Sequence, residues 1–125
     1  MRRVKEVMNP NVLPVEGHTS LREAALGMER AGTGIVPVVE NDEVVGVLTE
    51  RDIVVRAVAE SRDPDSTDVR EVMTTDLPCC FEDYDLDEAL RVAIESRARN
   101  LLVLSRDGEF AGACSVRDLA VAADS

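Results

Sequence analysis

One stretch of sequence occurs twice in this chain, and that repetition constrains the fold more than any other feature. Val7-Met8 returns as Val72-Met73, each behind a similar lead, Val4-Lys5-Glu6 and Val69-Arg70-Glu71. The two copies are offset by 65 residues. At that same offset Ser20-Leu21-Arg22-Glu23-Ala24-Ala25 matches Asp85-Leu86-Asp87-Glu88-Ala89-Leu90. Gly46-Val47-Leu48-Thr49-Glu50-Arg51-Asp52-Ile53 then matches Gly112-Ala113-Cys114-Ser115-Val116-Arg117-Asp118-Leu119, at an offset of 66. The second copy therefore carries one extra residue, assigned to a turn, where an insertion costs least. Asn41-Asp42 and Asp107-Gly108 supply the hairpin turns.

Each copy reads as βαββα. Ser20 caps a first helix, with Glu23 closing a capping box, and Leu21, Ala24, Ala25 and Met28 fall on one helical face before Gly32 and Gly34 end it. Residues 35–39 and 44–48 are the strands of a hairpin, and a second helix runs from Glu50 to about Ser61. Pro37 cannot donate to a ladder, so its strand lies at an edge or its N–H side is free. The second copy repeats the order with a helix over 86–98, strands over 101–104 and 109–114, and a helix from Val116. Short strands at 12–15 and 79–81 precede the first helices, and Arg62 to Asp68 forms a polar linker. The fold class is α/β with α+β character. Residues 1–63 and 64–125 are the two repeats, which are expected to pack face to face about a pseudo-twofold axis with paired clefts between them.

A chain of 125 residues can bury a core without disulfides or a metal. With 2% aromatic residues, that core must be aliphatic. No apolar run approaches a membrane span and no signal-peptide hydrophobic region follows Met1, so a cytoplasmic protein is expected. Cys79, Cys80 and Cys114 lack CxxC spacing and a partner histidine cluster; they read as buried hydrophobes or spare thiols, not a zinc site. The net charge is -11, and Lys5 is the sole lysine. Dense carboxylates keep a protein soluble while salt screens their repulsion, which points to a halophilic source; a GC-rich genome writing Arg for Lys gives the same composition. With no basic stripe and few aromatics, the footprint of a nucleic-acid binder is missing.

The segment that carries chemistry is Gly-x-x-Thr/Ser-x-x-Asp: Gly46, Thr49 and Asp52, then Gly112, Ser115 and Asp118. Two readings stay open. Thr/Ser-x-x-acid is a helix cap, the use that Ser20 with Glu23 and Asp85 with Glu88 already make of it, and spacing alone favours that reading. The ligand reading adds three features: a glycine that lets a flat ligand approach the backbone, a short carboxylate that accepts both hydroxyls of a ribose, and helix N–H groups that attract an anion. One side chain can do both jobs.

At these residues, with Val7-Met8, Val72-Met73 and Ile35-Val36-Pro37-Val38-Val39, nearly the whole chain resembles the CBS-domain family, whose tandem repeats form Bateman modules. The resemblance implies a cleft for an adenosine-bearing ligand (AMP, ADP, ATP or S-adenosylmethionine) and frequent disk-like dimers. It carries the ribose-binding acid onto Asp52 and Asp118 and the neighbouring hydroxyl onto Thr49 and Ser115. It carries the strand start bordering the base onto Ile35, Val36 and Pro37, and onto Asn100, Leu101 and Leu102. The second copy departs from the family's Pro-Val there, reading Leu102-Val103. Arg99 takes the place of a phosphate-contacting arginine where the first copy has Gly34, so the Arg99-bearing cleft is expected to hold a phosphorylated ligand more tightly. Arg51 and Arg117 lie within the motif, in reach of a phosphate or solvated on the helix; His18 reads as a loop residue. The expected function is an adenosine-ligand sensor acting on a partner in trans, with no cofactor required, the alternative being a ligand-free interaction scaffold. No nucleophile–base pair, metal cluster or P-loop supports an enzyme. Faces offered by Ile53, Val54, Ala57, Val58, Leu119, Ala120 and Ala123 are expected to make a homodimer.

Overall fold

The structure, a computed structural model, describes residues 2–76 and 78–124. The first copy comprises β1 (Val15–Glu16), α1 (Leu21–Ala31), β2 (Ile35–Glu40), β3 (Glu43–Thr49) and α2 (Glu50–Asp52), which continues in π form over Ile53–Val58. The second comprises β4 (Cys79–Phe81), α3 (Leu86–Ser96), β5 (Asn100–Leu104), β6 (Phe110–Ser115) and α4 (Val116–Ala123). Each copy makes a three-stranded sheet, β1-β2-β3 or β4-β5-β6, with the first pair parallel and the hairpin antiparallel. The chain is a mixed α/β protein of two βαββα copies, as its pattern implies.

The extra residue lies in the second hairpin turn. Glu40 pairs with Glu43 across Asn41-Asp42, both left-handed at φ 52° and 64°. In the other hairpin Ser105 N donates to Glu109 O at 2.8 Å across three residues, with the positive φ of 84° taken by Gly108.

Pro37 corrects one expectation: its strand is the middle one, not an edge. The other alternative fits. Pro37 pairs with Val47, whose N–H and C=O bond Thr74 on the opposite side, and β1 begins its pairing only at Val38. At the matching place Leu102 N donates to Pro78 O at 2.9 Å, a bond the proline does without.

The compact units do not coincide with contiguous stretches of chain. Val12–Leu77 forms one, and Met1–Asn11 with Pro78–Ser125 forms the other. In the split unit, Val4 to Glu6 is a 3-10 turn held by Val4 N to Tyr84 O at 2.9 Å and Lys5 N to Glu82 O at 3.0 Å. In the Val12–Leu77 unit the equivalent turn, Val69–Glu71, donates from Val69 N to Thr19 O and from Arg70 N to Gly17 O. Each repeated lead thus packs on the sheet of the copy that it does not precede in sequence.

Both cores are aliphatic. The split unit buries Val4, Leu86, Ala89, Ala93, Leu101, Val103 and Leu119 with Cys80 and Cys114. In the other unit Val12, Leu21, Met28, Ile35, Val38, Leu48, Val69 and Val72 are buried. Ala25, expected on the apolar face of α1, is exposed. Ala57 and Leu119, expected on only partly covered faces, are core residues, whereas Val54, Val58 and Val121 are 58%, 69% and 64% exposed.

The stretch from Arg62 to Asp68 is more than a polar linker. Thr67 O accepts Leu21 N at 3.0 Å, Pro64 O accepts Arg22 N at 3.2 Å and Ser20 Oγ accepts Glu23 N at 3.2 Å, so the first three amides of α1 are satisfied. Among the described residues no helix is long and apolar enough to cross a membrane.

Candidate functional site

The strand-to-helix corners hold the residues that the motif singles out. Cross-strand register sets Ile35 opposite Thr49 and Asn100 opposite Ser115, so each strand start lies beside its hydroxyl. The residue before the strand closes the corner: Gly34 O accepts Glu50 N at 3.1 Å and Arg99 O accepts Val116 N at 2.9 Å. The hydroxyls cap the helices, Thr49 Oγ1 accepting Asp52 N at 3.1 Å and Ser115 Oγ accepting Asp118 N at 3.0 Å. The protein itself therefore takes two of the first-turn amides in each helix. The anion-attracting end that the sequence offers is reduced accordingly.

The acids differ. Asp52 is 6% exposed and spends both carboxylate oxygens within its unit: Oδ2 accepts Thr49 N at 2.9 Å and Oδ1 accepts the Thr74 hydroxyl at 2.8 Å. Asp118 is exposed, and among the described residues its carboxylate accepts no hydrogen bond. Its charge contributes to holding the neighbouring Cys114 thiol at about 11, behind burial as the larger cause. Burial also raises Cys80, to about 12.

The glycines have a reason that the sequence reading missed. A Cβ on Gly46 would meet Met73 Sδ and Thr74 O, and one on Gly112 would meet Asn9 O and Met8 Sδ. The repeated lead crosses here, bridging Val47 to Thr74 and Asn9 to Ala113. The space that a flat ligand was to use over each glycine is filled by the chain's own backbone. Glycine at these positions admits the lead.

Arg51, Arg99 and Arg117 are exposed, as is His18, while Asn100 is half-buried. Ile35, Val36, Pro37 and Leu101 are buried, as is Leu102. Two residues went unremarked: Thr74, and Arg56, which donates to Val72 O at 3.3 Å and Met73 O at 3.0 Å. Their signal lay beside the repeat, since Thr74 follows Val72-Met73 where Asn9 follows Val7-Met8.

A family model of the CBS domain matches residues 4–58 and 69–125. The chain belongs to the CBS-domain family. Among its relatives, the CBS domain-containing protein YhcV of Bacillus subtilis is 34% identical over 121 residues, 97% of this chain and 85% of that one. An uncharacterised protein of Methanopyrus kandleri is 29% identical over 117 residues, and the chain spans 60% of its length. A protein with CBS domains from Burkholderia ambifaria superposes with a TM-score of 0.86 at 26% identity, over 98% of this chain and 93% of that one. The CBS domain pair of protein MJ0100, solved with 5'-methylthioadenosine and S-adenosylmethionine, shares the fold with a TM-score of 0.85 at 19% identity, over 99% and 97%.

Proposed function

We propose that this CBS-domain protein is a non-catalytic regulatory module of the cytoplasm. It binds an adenosine-bearing ligand (AMP, ADP, ATP or S-adenosylmethionine) at its strand-to-helix corners and passes occupancy to a partner in trans. The observation that carries the reading is the recurrence of a hydroxyl and an acid at a strand end, next to a strand start, in a chain whose family includes a pair solved with adenosine compounds. In this reading Ser115 and Asp118 receive a ribose, and Arg99, just before the adjoining strand, meets a phosphate; the pairing of Asn100 with Ser115 and the bond from Val116 N to Arg99 O support it. No step of chemistry is assigned. A thermal-shift screen followed by calorimetry tests the reading, because a ligand that binds the folded state raises its melting temperature by mass action. No shift with any of the four compounds at millimolar concentration would refute it.

The scaffold reading is favoured by one observation, the full use of the Asp52 carboxylate inside its own unit. For either reading we infer a homodimer, joined through the exposed Val54, Val58 and Val121. Light scattering at micromolar protein in molar KCl is expected to give twice the chain mass, and a monomer there would remove the inference.

A further inference from the structure

The acids of the two corners differ in two contacts: Asp52 accepts Thr49 N and the Thr74 hydroxyl, whereas Asp118 accepts neither counterpart, and the contact from outside the motif bears on whether the acid is available to a ligand. Thr74 donates to Asp52 Oδ1 at 2.8 Å, and Thr74 is itself pinned by paired backbone hydrogen bonds with Val47, both 2.8 Å. Arg56, in the π segment after α2, holds the same strip through Val72 O and Met73 O. The carboxylate is then nearly sealed, at 6% exposure. In the second copy Asn9 stands in the place of Thr74, its Oδ1 accepting Asn11 N at 3.0 Å, and Ala122 stands in the place of Arg56, offering only its carbonyl, which accepts Arg2 Nη1 at 3.3 Å. Asp118 stays exposed.

We propose that Thr74 is an internal lock: its hydroxyl occupies the acid of the first corner, so that only the Ser115–Asp118 corner, with Arg99 beside it, takes an adenosine phosphate. The inference rests on the ligand reading above and assigns it to one corner. A ribose approaching Asp52 must displace the hydrogen bond from the Thr74 hydroxyl to the carboxyl group, which lowers affinity roughly tenfold to a hundredfold relative to an unoccupied acid. The lock needs no second ligand and no movement of a domain. It is a single hydroxyl, placed by the repeated lead.

Calorimetry with AMP as the probe tests this. The native chain is expected to bind one equivalent, Asp118→Asn to lose it, and Thr74→Val to acquire a second, weaker site. Thr74→Ser, which restores the hydroxyl, is expected to return to one. Melting curves check that each variant folds. If Thr74→Val does not, Arg56→Gln loosens the same strip and is expected to expose the second site instead. Two equal sites in the native chain, or one site persisting in a folded Thr74→Val protein, would overturn the lock while leaving the ligand reading intact. A native chain that binds no AMP, S-adenosylmethionine, ADP or ATP would overturn the ligand reading and the lock with it.

Discussion

Alanine at Gly46 or Gly112 separates the two explanations of these glycines by a measurement that needs no ligand. An added methyl at Gly46 would stand 2.8 Å from Met73 Sδ and 2.9 Å from Thr74 O; at Gly112 it would stand 2.6 Å from Asn9 O. A thioether can swing aside, but both oxygens belong to backbone held in a two-bond bridge. Thr74 O and N bond Val47 at 2.8 Å each, and the Asn9 and Ala113 pair bonds at 2.7 and 3.1 Å. Admitting the methyl means opening one bridge, at about 0.5–1.5 kcal/mol per hydrogen bond. Residual overpacking adds about 1–3 kcal/mol. Because opening the bridge relieves part of the clash, a loss of about 2–4 kcal/mol is expected. At an unfolding entropy of about 2.1 cal/mol/K per residue, the 125 residues melt with about 0.26 kcal/mol/K. The melting temperature should then fall by about 8–15 °C, more for Gly112→Ala than for Gly46→Ala. Gly27→Ala is the control: nothing lies within 4 Å of its added methyl inside α1, and alanine improves helix propensity by about 1 kcal/mol, so its melting temperature should rise by about 4 °C. Differential scanning calorimetry reads all three. Unchanged melting for Gly46→Ala and Gly112→Ala would refute the packing argument and return the glycines to the ligand.

Two further outcomes are expected. With a net charge of -11, stability should rise with KCl into the molar range, and a melting temperature flat from dilute to molar KCl would remove the halophile argument. Burial holds Cys80 at about 12 and Cys114 at about 11, above the ordinary 9.0, so their contribution to stability is complete below about pH 9 and declines as pH rises toward 12, where the unfolded chain ionises first. Denaturant titrations at pH 8 and 10.5 should show this loss, and Cys80→Ala with Cys114→Ala should reduce the pH dependence; an unchanged slope would mean the thiols are not its source.

The repeat made most of the fold legible. Ser20, Asp85, Thr49 and Ser115 all cap helices, and the inserted residue lies in the second turn. What stayed hidden is non-local. Alternation and caps act over a few residues, whereas the reason for glycine at 112 is the carbonyl of Asn9, a hundred positions away, and the reason Asp52 is sealed is Thr74. Pro37 left two alternatives open for the same reason: its missing donor matters only where a neighbour needs it, and β1 starts one residue too late to need it. The candidate site was legible as residue types. Which of its acids is already engaged within the protein was not, because Thr74 lies outside the motif.

The exchange of the leads has a consequence for a chain as it leaves the ribosome. The Val12–Leu77 unit has every residue it needs once Leu77 has emerged, and can begin to form while the remainder is still being made. Residues Val4 to Asn9 emerge before that unit yet pair with Tyr84, Glu82 and Ala113, so they must wait for roughly a hundred further residues. At roughly 5–20 residues per second that delay lasts about 5–20 s, during which Val4 and Met8 have no sheet to cover. A segment that precedes the first copy in sequence is thus among the last to find its place. A circular permutant that begins at Val12 and carries residues 1–11 after a linker would shorten the wait.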